Sequence, residues 1–487
     1  MTRPNTPCPD QCNVLLVGGG GREHALAWAM QKSDRLGTLW VTHPQHAGLA
    51  AIGEACPHDW DPTNIFQLQR WCEKVEIDMV VVGPEGPLSE GIVDALEEIG
   101  CAVFGPCQAA SRLESDKAFA KQIMRQAAVP TADARIFNDS NTARRYALRG
   151  IEIELEEAGL QDEGSDLCSF LASNDDRGAL QFPELNPKVR ALLAQHGDPC
   201  VIKASGLAAG KGVIVCANAM EALDAIDQIM DARAYGDAGT SLLIEEFLEG
   251  QELSVLALVD GRTIWILDPC QDHKQVGEGD VGPNTGGMGA YCPTPLVDVE
   301  LLQTIEQDVL LPTIDALRRE EIEYRGVLYA GLMLTPAGPK VLEFNCRFGD
   351  PECQPLMARF EGDLVEVLWA TCTGRLHEVE FGFSESTACC VVLCSKGYPG
   401  PCETGFAITG LDAFDTTDDV MVFQAGTRLE DDGSVVTNGG RVLGVTALGP
   451  DLATARDAAN AACNHVGFAG AFWRQDIGDR VLINAST

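Results

Sequence analysis

The run Lys340-Val341-Leu342-Glu343-Phe344-Asn345-Cys346-Arg347-Phe348-Gly349-Asp350-Pro351-Glu352 gathers ionisable and amide side chains around an apolar stretch. Val341, Leu342 and Phe344 favour extended structure, so the run reads as a buried strand. Side chains two apart on a strand share a face, which sets the Glu343 carboxylate beside the Asn345 amide oxygen. Two hard oxygen donors one pleat apart suit Mg²⁺, which takes few protein oxygens and completes its octahedron with water and phosphate. Arg347, Asp350 and Glu352 then crowd onto a Gly/Pro turn. Charges of both signs packed there stabilise a fold poorly and hold a charged substrate well. An E-x-N pair alone also describes a solvated strand end, so its weight depends on the rest of the chain.

That rest supplies phosphate-binding chemistry. Cys200-Val201-Ile202-Lys203-Ala204-Ser205 reads as a strand, Gly206-Leu207-Ala208-Ala209-Gly210-Lys211-Gly212 as a small-residue loop, and Val213 to Cys216 as a second strand. Strand, loop, strand is a hairpin flap. A P-loop would lead into a helix, and Gly212 breaks its G-x₄-G-K-[ST] pattern. Such a flap closes over a polyphosphate with its backbone amides, with Lys211 at its end and Lys203 on its flank. A lysine inside an apolar strand is rare unless paired, which marks Lys203 as functional. Lys117, in the first turn of a helix opened by Ser115-Asp116, opposes the helix dipole, a cost that bound phosphate would offset. The strand Ser241 to Ile244 opens into Glu245-Glu246-Phe247-Leu248, whose edge backbone and apolar wall suit an adenine. Exposed edge strands also often carry acids. Further on, Gln271-Asp272-His273-Lys274 and the glycine-rich loop Gly282-Pro283-Asn284-Thr285-Gly286-Gly287-Met288-Gly289 are hard to explain as packing.

Near the start, the strand Asn13 to Val17 runs into Gly18-Gly19-Gly20-Gly21-Arg22-Glu23-His24 and then a helical pattern, Ala25 to Met30. Strand, glycine turn and helix open a nucleotide-fold domain whose helix N-terminus receives phosphate. A nicotinamide dinucleotide is excluded. The third glycine position holds Glu23, and the next strand ends in His43-Pro44-Gln45 with no acid for a ribose. Arg22 points instead to a single phosphate monoester. Strands Met79 to Val82 and Ala102 to Phe104 lead into Gly83-Pro84-Glu85-Gly86-Pro87-Leu88 and Gly105-Pro106, at the carboxyl ends where open sheets bind ligands.

These stretches need several bodies to position them. At 487 residues the chain exceeds one core and predicts roughly three or four domains. Residues 12–113 read as a doubly wound α/β domain, 114–372 as the nucleotide-binding body with its flap at about 131–240, and 386–485 as an α+β domain. The segment 150–190 is acidic and weakly periodic, a surface insertion with some helix and no chemistry. The 19 cysteines are scattered and mostly inside apolar runs, as in reduced core positions, and Cys8 and Cys12 lack the second pair a zinc site needs. A net charge of −37 argues against nucleic acid and anionic membrane partners. No apolar run reaches the roughly 20 residues that span a bilayer, and MTRPNTPCPD has no signal-like apolar region, so a cytoplasmic protein is expected.

The blocks GGREHALAW, VGPEGPL, ESDKAF, GLAAGKGV, IEEFLEG, QDHKQVG, GPNTGGMGAY, EFNCRFGDPECQ and TNGGRVLGVTALG together resemble the glycinamide ribonucleotide synthetase family of the ATP-grasp superfamily, nearly end to end. The resemblance implies an N-terminal substrate (pre-ATP-grasp) domain, an ATP-grasp core with a small flap, and a C-terminal α+β domain. It implies an ATP-dependent ligase of purine biosynthesis that joins glycine to 5-phosphoribosylamine through glycyl phosphate, with magnesium or manganese. Lys117, Lys203 and Lys211, with amides of Gly206, Gly210 and Gly212, would hold ATP phosphates. Glu245, Glu246, Phe247 and Leu248 would bracket adenine and Glu252 its ribose, while Glu343 and Asn345 bind the metal. Lys203, Arg347 and Asp350 are the implied catalytic residues. Arg347 and Asp350, with Lys274, Asn284, Thr285, Gly286 and Gly287, would receive glycine and the acyl phosphate. Gly20, Gly21, Arg22 and Glu23 with Gly83, Pro84 and Glu85 would take phosphoribosylamine. Small-molecule substrates and a monomer are expected. The chain departs from the family pattern at Gln45-His46, at Ser205 and in its run of four glycines. The rivals are another ATP-grasp ligase, such as a biotin carboxylase or a carboxyaminoimidazole ribonucleotide synthetase, and a non-catalytic nucleotide sensor. The first has no reason to keep RFGDPE and GPNTGGMG, and the second none to keep Glu343, Asn345 and Lys203.

Overall fold

The computed structural model describes residues 6–173, 182–208, 212–414 and 419–484. Four sheets organise the chain. The first is parallel, in the order Glu54–Ala55, Leu36–Val41, Cys12–Val17, Met79–Val82, Ala102–Phe104. Its central strands are apolar on both faces because helices cover both, as parallel sheets require. Strand order reverses between Cys12–Val17 and Met79–Val82, which opens a crevice at their carboxyl ends. The Gly18 and Gly83 turns lie at that crevice.

The second sheet is antiparallel: Ile264–Ile266, Gln251–Asp260, Arg325–Thr335, Gly338–Asn345. One face packs on the helices Lys117–Gln126 and Leu311–Arg319, burying Val255, Ala257, Leu328, Val341 and Phe344. A helix runs from Val299 to Arg319, with a π turn at Glu306–Leu310 just before Pro312. Proline has no N–H to donate to the preceding turn, and the wider turn accommodates the loss.

The flap is the third sheet, Ala134–Phe137, Leu242–Glu246, Cys200–Ala204, Val213–Cys216. Its hairpin joins Cys200–Ala204 to Val213–Cys216, as the sequence predicts. In the acidic segment, residues 174–181 lie outside the described residues, and the helix expected there is present in the rest and packs on the flap. Helices Ile151–Glu157, Ser165–Ala172 and Pro187–Leu193 bury Ile151, Leu155, Leu167, Phe170 and Val189 against Ala219 and Leu223 of the flap.

The fourth sheet runs Gln271–Asp272, Gly289–Cys292, Thr387–Cys394, Arg441–Gly449, Val420–Gln424. Its first two strands precede the expected C-terminal boundary. The glycine-rich loop therefore hangs from the same sheet as the C-terminal strands. The helix Cys353–Arg359 joins this sheet to the first domain, packing on Gly21–Met30 while Phe348 stacks on Phe104 with centroids 6.1 Å apart.

Candidate active site

The strand Gly338–Asn345 does not keep a regular pleat. Its register against Arg325–Thr335 shifts between Gly331 and Leu332, pairing Leu332 with Val341 and Gly331 with Glu343. Leu342 is the extra residue of a β-bulge, which re-aims the side chains beyond it. Val341 and Phe344 both reach the core while Glu343 and Asn345 share the open face. Gly331 stands opposite Glu343, where a Cβ would come within 3.4 Å of the glutamate Cγ, so glycine there leaves the carboxylate its room. Burial alone would raise the Glu343 carboxyl, but Lys274, Lys203, Lys117 and Arg347 together hold it below the usual carboxylate range. Asn345 Oδ1 accepts from Arg347 Nη2 at 3.4 Å. An ionised carboxylate, an amide oxygen beside it and open space suit a hard divalent cation with phosphate as its further ligand. The donor set therefore fits such an ion.

Lys203 projects from the flap strand Cys200–Ala204 and donates to the bulged Leu342 carbonyl at 3.0 Å. It also pairs with Glu245 Oε2 at 3.0 Å. The other oxygen, Oε1, takes Lys121 at 3.2 Å, and Lys121 donates to Thr131 Oγ1 at 2.7 Å. Thr131 in turn donates to the Val341 carbonyl. Glu245 is thus shared by two lysines, and all three side chains are buried. Burial pushes the Lys121 ammonium down to about 8. Lys117, at the start of its helix, donates to the Gly206 carbonyl at 3.4 Å, while burial pulls its ammonium down and Glu343 opposes the shift. Gly212 closes the hairpin by accepting from Ala204 N. Gly210 and Lys211 lie outside the described residues.

The base-binding expectation changes in one respect. The Glu245 side chain turns inward to the lysines, and its strand is not the expected edge: Leu242–Glu246 lies between Ala134–Phe137 and Cys200–Ala204, with Glu245 in register with Ala134 and Val201. Glu246 is held by Lys340 at 2.8 Å and by the Asp133 N–H at 3.0 Å. Phe247 is exposed and Leu248 buried, so this stretch still presents an apolar wall. Glu252 pairs with Lys274 at 2.9 Å. Burial would lower the Lys274 ammonium, but Glu252, Glu343 and Asp272 raise it above its ordinary value.

At the switch-point crevice, Glu23 caps its own helix, with Oε2 accepting from Gly20 N at 2.6 Å and Oε1 from Arg22 Nε at 2.6 Å. A Cβ at Gly83 would lie 1.9 Å from Glu23 Oε1, so the two predicted turns touch. Gly18 adopts φ +113° beside Pro84, a conformation that favours glycine. Arg347 spans this crevice and the strand Gly338–Asn345, 3.3 Å from Glu85 Oε2 and 3.1 Å from Glu114 Oε1. Glu85 stays below its usual range because Arg347 and Arg22 outweigh burial. Asp350 lies against the same turn, its oxygens 3.5 Å and 3.7 Å from where Gly20 and Gly21 would carry a Cβ. Thr285 donates its N–H and hydroxyl to the Lys274 carbonyl, both at 2.7 Å, which ties Asn284, Thr285, Gly286 and Gly287 to the lysine facing Glu343. Glu352, expected at the charged turn, is instead buried beneath it, accepting from Tyr329 and Ser254 at 2.5 Å and 3.2 Å.

Lys121 and Glu114 are not singled out by the sequence, and Asp272 stands out only as part of the run Gln271 to Lys274, without a role of its own. Lys121 follows Lys117 by one helical turn, the single signal that could have found it. The burial that defines Glu114 is tertiary and leaves no local pattern.

Comparison with known proteins covers the same parts. Residues 12–114, 179–353 and 388–480 match the N domain, the ATP-grasp (A) domain and the C domain of phosphoribosylglycinamide synthetase. The chain is 46% identical over 97% of its length to phosphoribosylamine–glycine ligase of Rhodopirellula baltica, covering 98% of that protein. It is 44% identical over 96% of its length to the trifunctional purine biosynthetic protein adenosine-3 of Gallus gallus, of which it covers 42%. The crystal structure of phosphoribosylamine–glycine ligase from Thermotoga maritima is similar with a TM-score of 0.73 at 29% identity, over 96% of this chain and 100% of that one. The chain belongs to the phosphoribosylglycinamide synthetase family, with its N, ATP-grasp and C domains in that order.

Proposed function

We propose that the protein is an ADP-forming ligase of purine biosynthesis that joins glycine to 5-phosphoribosylamine at the expense of ATP, acting as a cytoplasmic monomer. The observation that carries this reading is the convergence of Lys117, Lys203, Lys274 and Arg347 on Glu343, at the junction of flap, core and switch-point crevice. No helix among the described residues is long and apolar enough to cross a membrane.

Phosphoryl transfer depends on positioning and charge neutralisation more than on a protein nucleophile. Lys203 and Lys117 bring the flap and core ammonium groups to the ATP phosphates, while Phe247 and Leu248, just beyond the strand Leu242–Glu246, wall the base. A divalent cation on Glu343 and Asn345, magnesium or manganese, would supply further positive charge at the β- and γ-phosphates. A glycine carboxylate oxygen attacks the γ-phosphorus, ADP leaves, and glycyl phosphate forms. The amine of phosphoribosylamine, held by the Gly20 to Glu23 and Gly83 to Glu85 turns, then attacks the carbonyl carbon. Phosphate departs with that glycine oxygen, and the nitrogen loses a proton to give the amide of glycinamide ribonucleotide. Arg347 lies between the two substrates' ends and offsets charge on the departing phosphate.

An ADP-release assay with glycine and phosphoribosylamine generated in situ tests this. Turnover that requires both supports the reading; ADP release that ignores either one overturns it.

A further inference from the structure

The C-terminal domain reaches into the site at the glycine-rich loop, chiefly through Gly286. Gly286 donates its N–H to the Tyr398 hydroxyl at 2.9 Å, and its carbonyl accepts from Arg441 Nη1 at 2.5 Å. The same Arg441 nitrogen donates to the Asp350 carbonyl at 2.6 Å, and Nη2 lies 3.3 Å from Asp350 Oδ2. Gln354 holds Oδ1 at 2.9 Å. Both polar groups of Gly286 and both carboxylate oxygens of Asp350 are therefore fixed. Gly287 locks loop to turn, since it sits at φ +112° with Pro351 Cδ 2.4 Å from where a Cβ would be. Burial would raise the Asp350 carboxyl, but Arg441 and Arg22 hold it below its usual range.

The place this clamp holds matters. On one side the loop is tied through Thr285 to Lys274, which faces Glu343. On the other, Asp350 rests on the Gly20–Gly21 turn. A carboxylic acid that accepts a phosphoryl group at the first position and is then attacked by an amine at the second must sit between them. We propose that Arg441 and Tyr398 are positioning residues for the amino-acid substrate: through Gly286 and Asp350 the C-terminal domain shapes the seat of glycine, and nucleotide binding does not depend on them. This rests on the ligase reading above.

Arginine suits the task because its planar fork serves a backbone carbonyl and a carboxylate together, which a lysine cannot match. The test is steady-state kinetics on Tyr398→Phe and Arg441→Lys, with ATP affinity measured separately by calorimetry and the melting temperature recorded. Tyr398→Phe removes one acceptor and should raise the KM for glycine about fivefold. Arg441→Lys should raise it more than about tenfold. The KM and Kd for ATP should stay within about twofold and the melting temperature unchanged, because neither residue touches the flap. Equal rises in all three substrate KM values, a loss of melting temperature without a glycine-specific effect, or no kinetic change would each overturn the proposal. Failure of the ligase reading looks different: the unmodified protein would show no glycine-dependent ADP release. If another carboxylic acid supports release, its KM should show the same split, and a uniform change there also overturns the clamp.

Discussion

Glu343 faces Lys274, Lys203, Lys117 and Arg347, which keep its carboxylate ionised as a hard oxygen donor among four cations. Glu343→Gln keeps the shape and removes the charge. Turnover should fall by about 10²-fold or more, as for loss of a preorganised charged group, with an unchanged far-ultraviolet circular dichroism spectrum. A variant that retains near-normal ADP release would remove Glu343 from the metal and phosphate assignment. Glu245 makes a different prediction. Its carboxylate is shared by Lys121 and Lys203, all three nearly inaccessible, so Glu245→Ala leaves two buried ammonium groups uncompensated. That should cost about 3–5 kcal/mol in urea unfolding, whereas an exposed acid such as Glu98 should cost little. Lys203 was legible in the sequence because a lysine in an apolar strand is conspicuous. Lys121 was not, because a lysine on an amphipathic helix looks solvated until the flap strand covers it. The pairing of Glu245 with the two lysines was equally hidden, because it forms only when the flap strand meets that helix.

The hairpin flap, the E-x-N strand and the glycine turns were legible as elements, since each rests on local periodicity and turn chemistry. The bulge at Leu342 was not, because a single extra residue leaves the apolar pattern almost intact while turning the Leu342 carbonyl to Lys203. Nor was the packing of the acidic segment, whose apolar residues are sparse but meet the flap helix. Leu155 is fully buried there, in a cluster that contains Leu148, Phe170 and Leu223 and none of Lys117, Lys203 or Lys274. Leu155→Ala should destabilise the flap by about 2–5 kcal/mol, read as faster amide exchange in 151–226, with kcat at saturating ATP unchanged. Loss of kcat without faster exchange would give the segment a direct role. At the crevice, Gly83→Ala forces a methyl onto Glu23 Oε1 and should displace the cap of the first helix. The KM for phosphoribosylamine should then rise at least about tenfold while ATP binding holds; equal effects on both would break the assignment of that turn.

Across the whole molecule, the sheets are stitched by residues far apart in sequence, and the C-terminal sheet borrows Gln271–Asp272 and Gly289–Cys292 from the middle of the chain. Composition and block order predicted the domains but could not show that the glycine-rich loop belongs to two of them. A buried histidine pair at the seam between first and last domains contributes to the acid response, as does His273. His24 accepts from Gln424 N at 2.8 Å, and burial, with His46 nearby, lowers it to about 3. The unfolded chain takes up that proton near pH 6.5 while the folded chain does not, so stability is lost as pH falls from about 6.5 towards 3. His24→Asn should flatten this slope in unfolding curves taken at pH 7 and below, and an unchanged slope would assign acid lability elsewhere. The central claim, that glycine's carboxylate is phosphorylated before the amine attacks, is tested most directly by isotope. Turnover with glycine carrying ¹⁸O in its carboxylate should deliver one labelled oxygen to each inorganic phosphate, seen as a shifted ³¹P resonance. Phosphate released without label would contradict it.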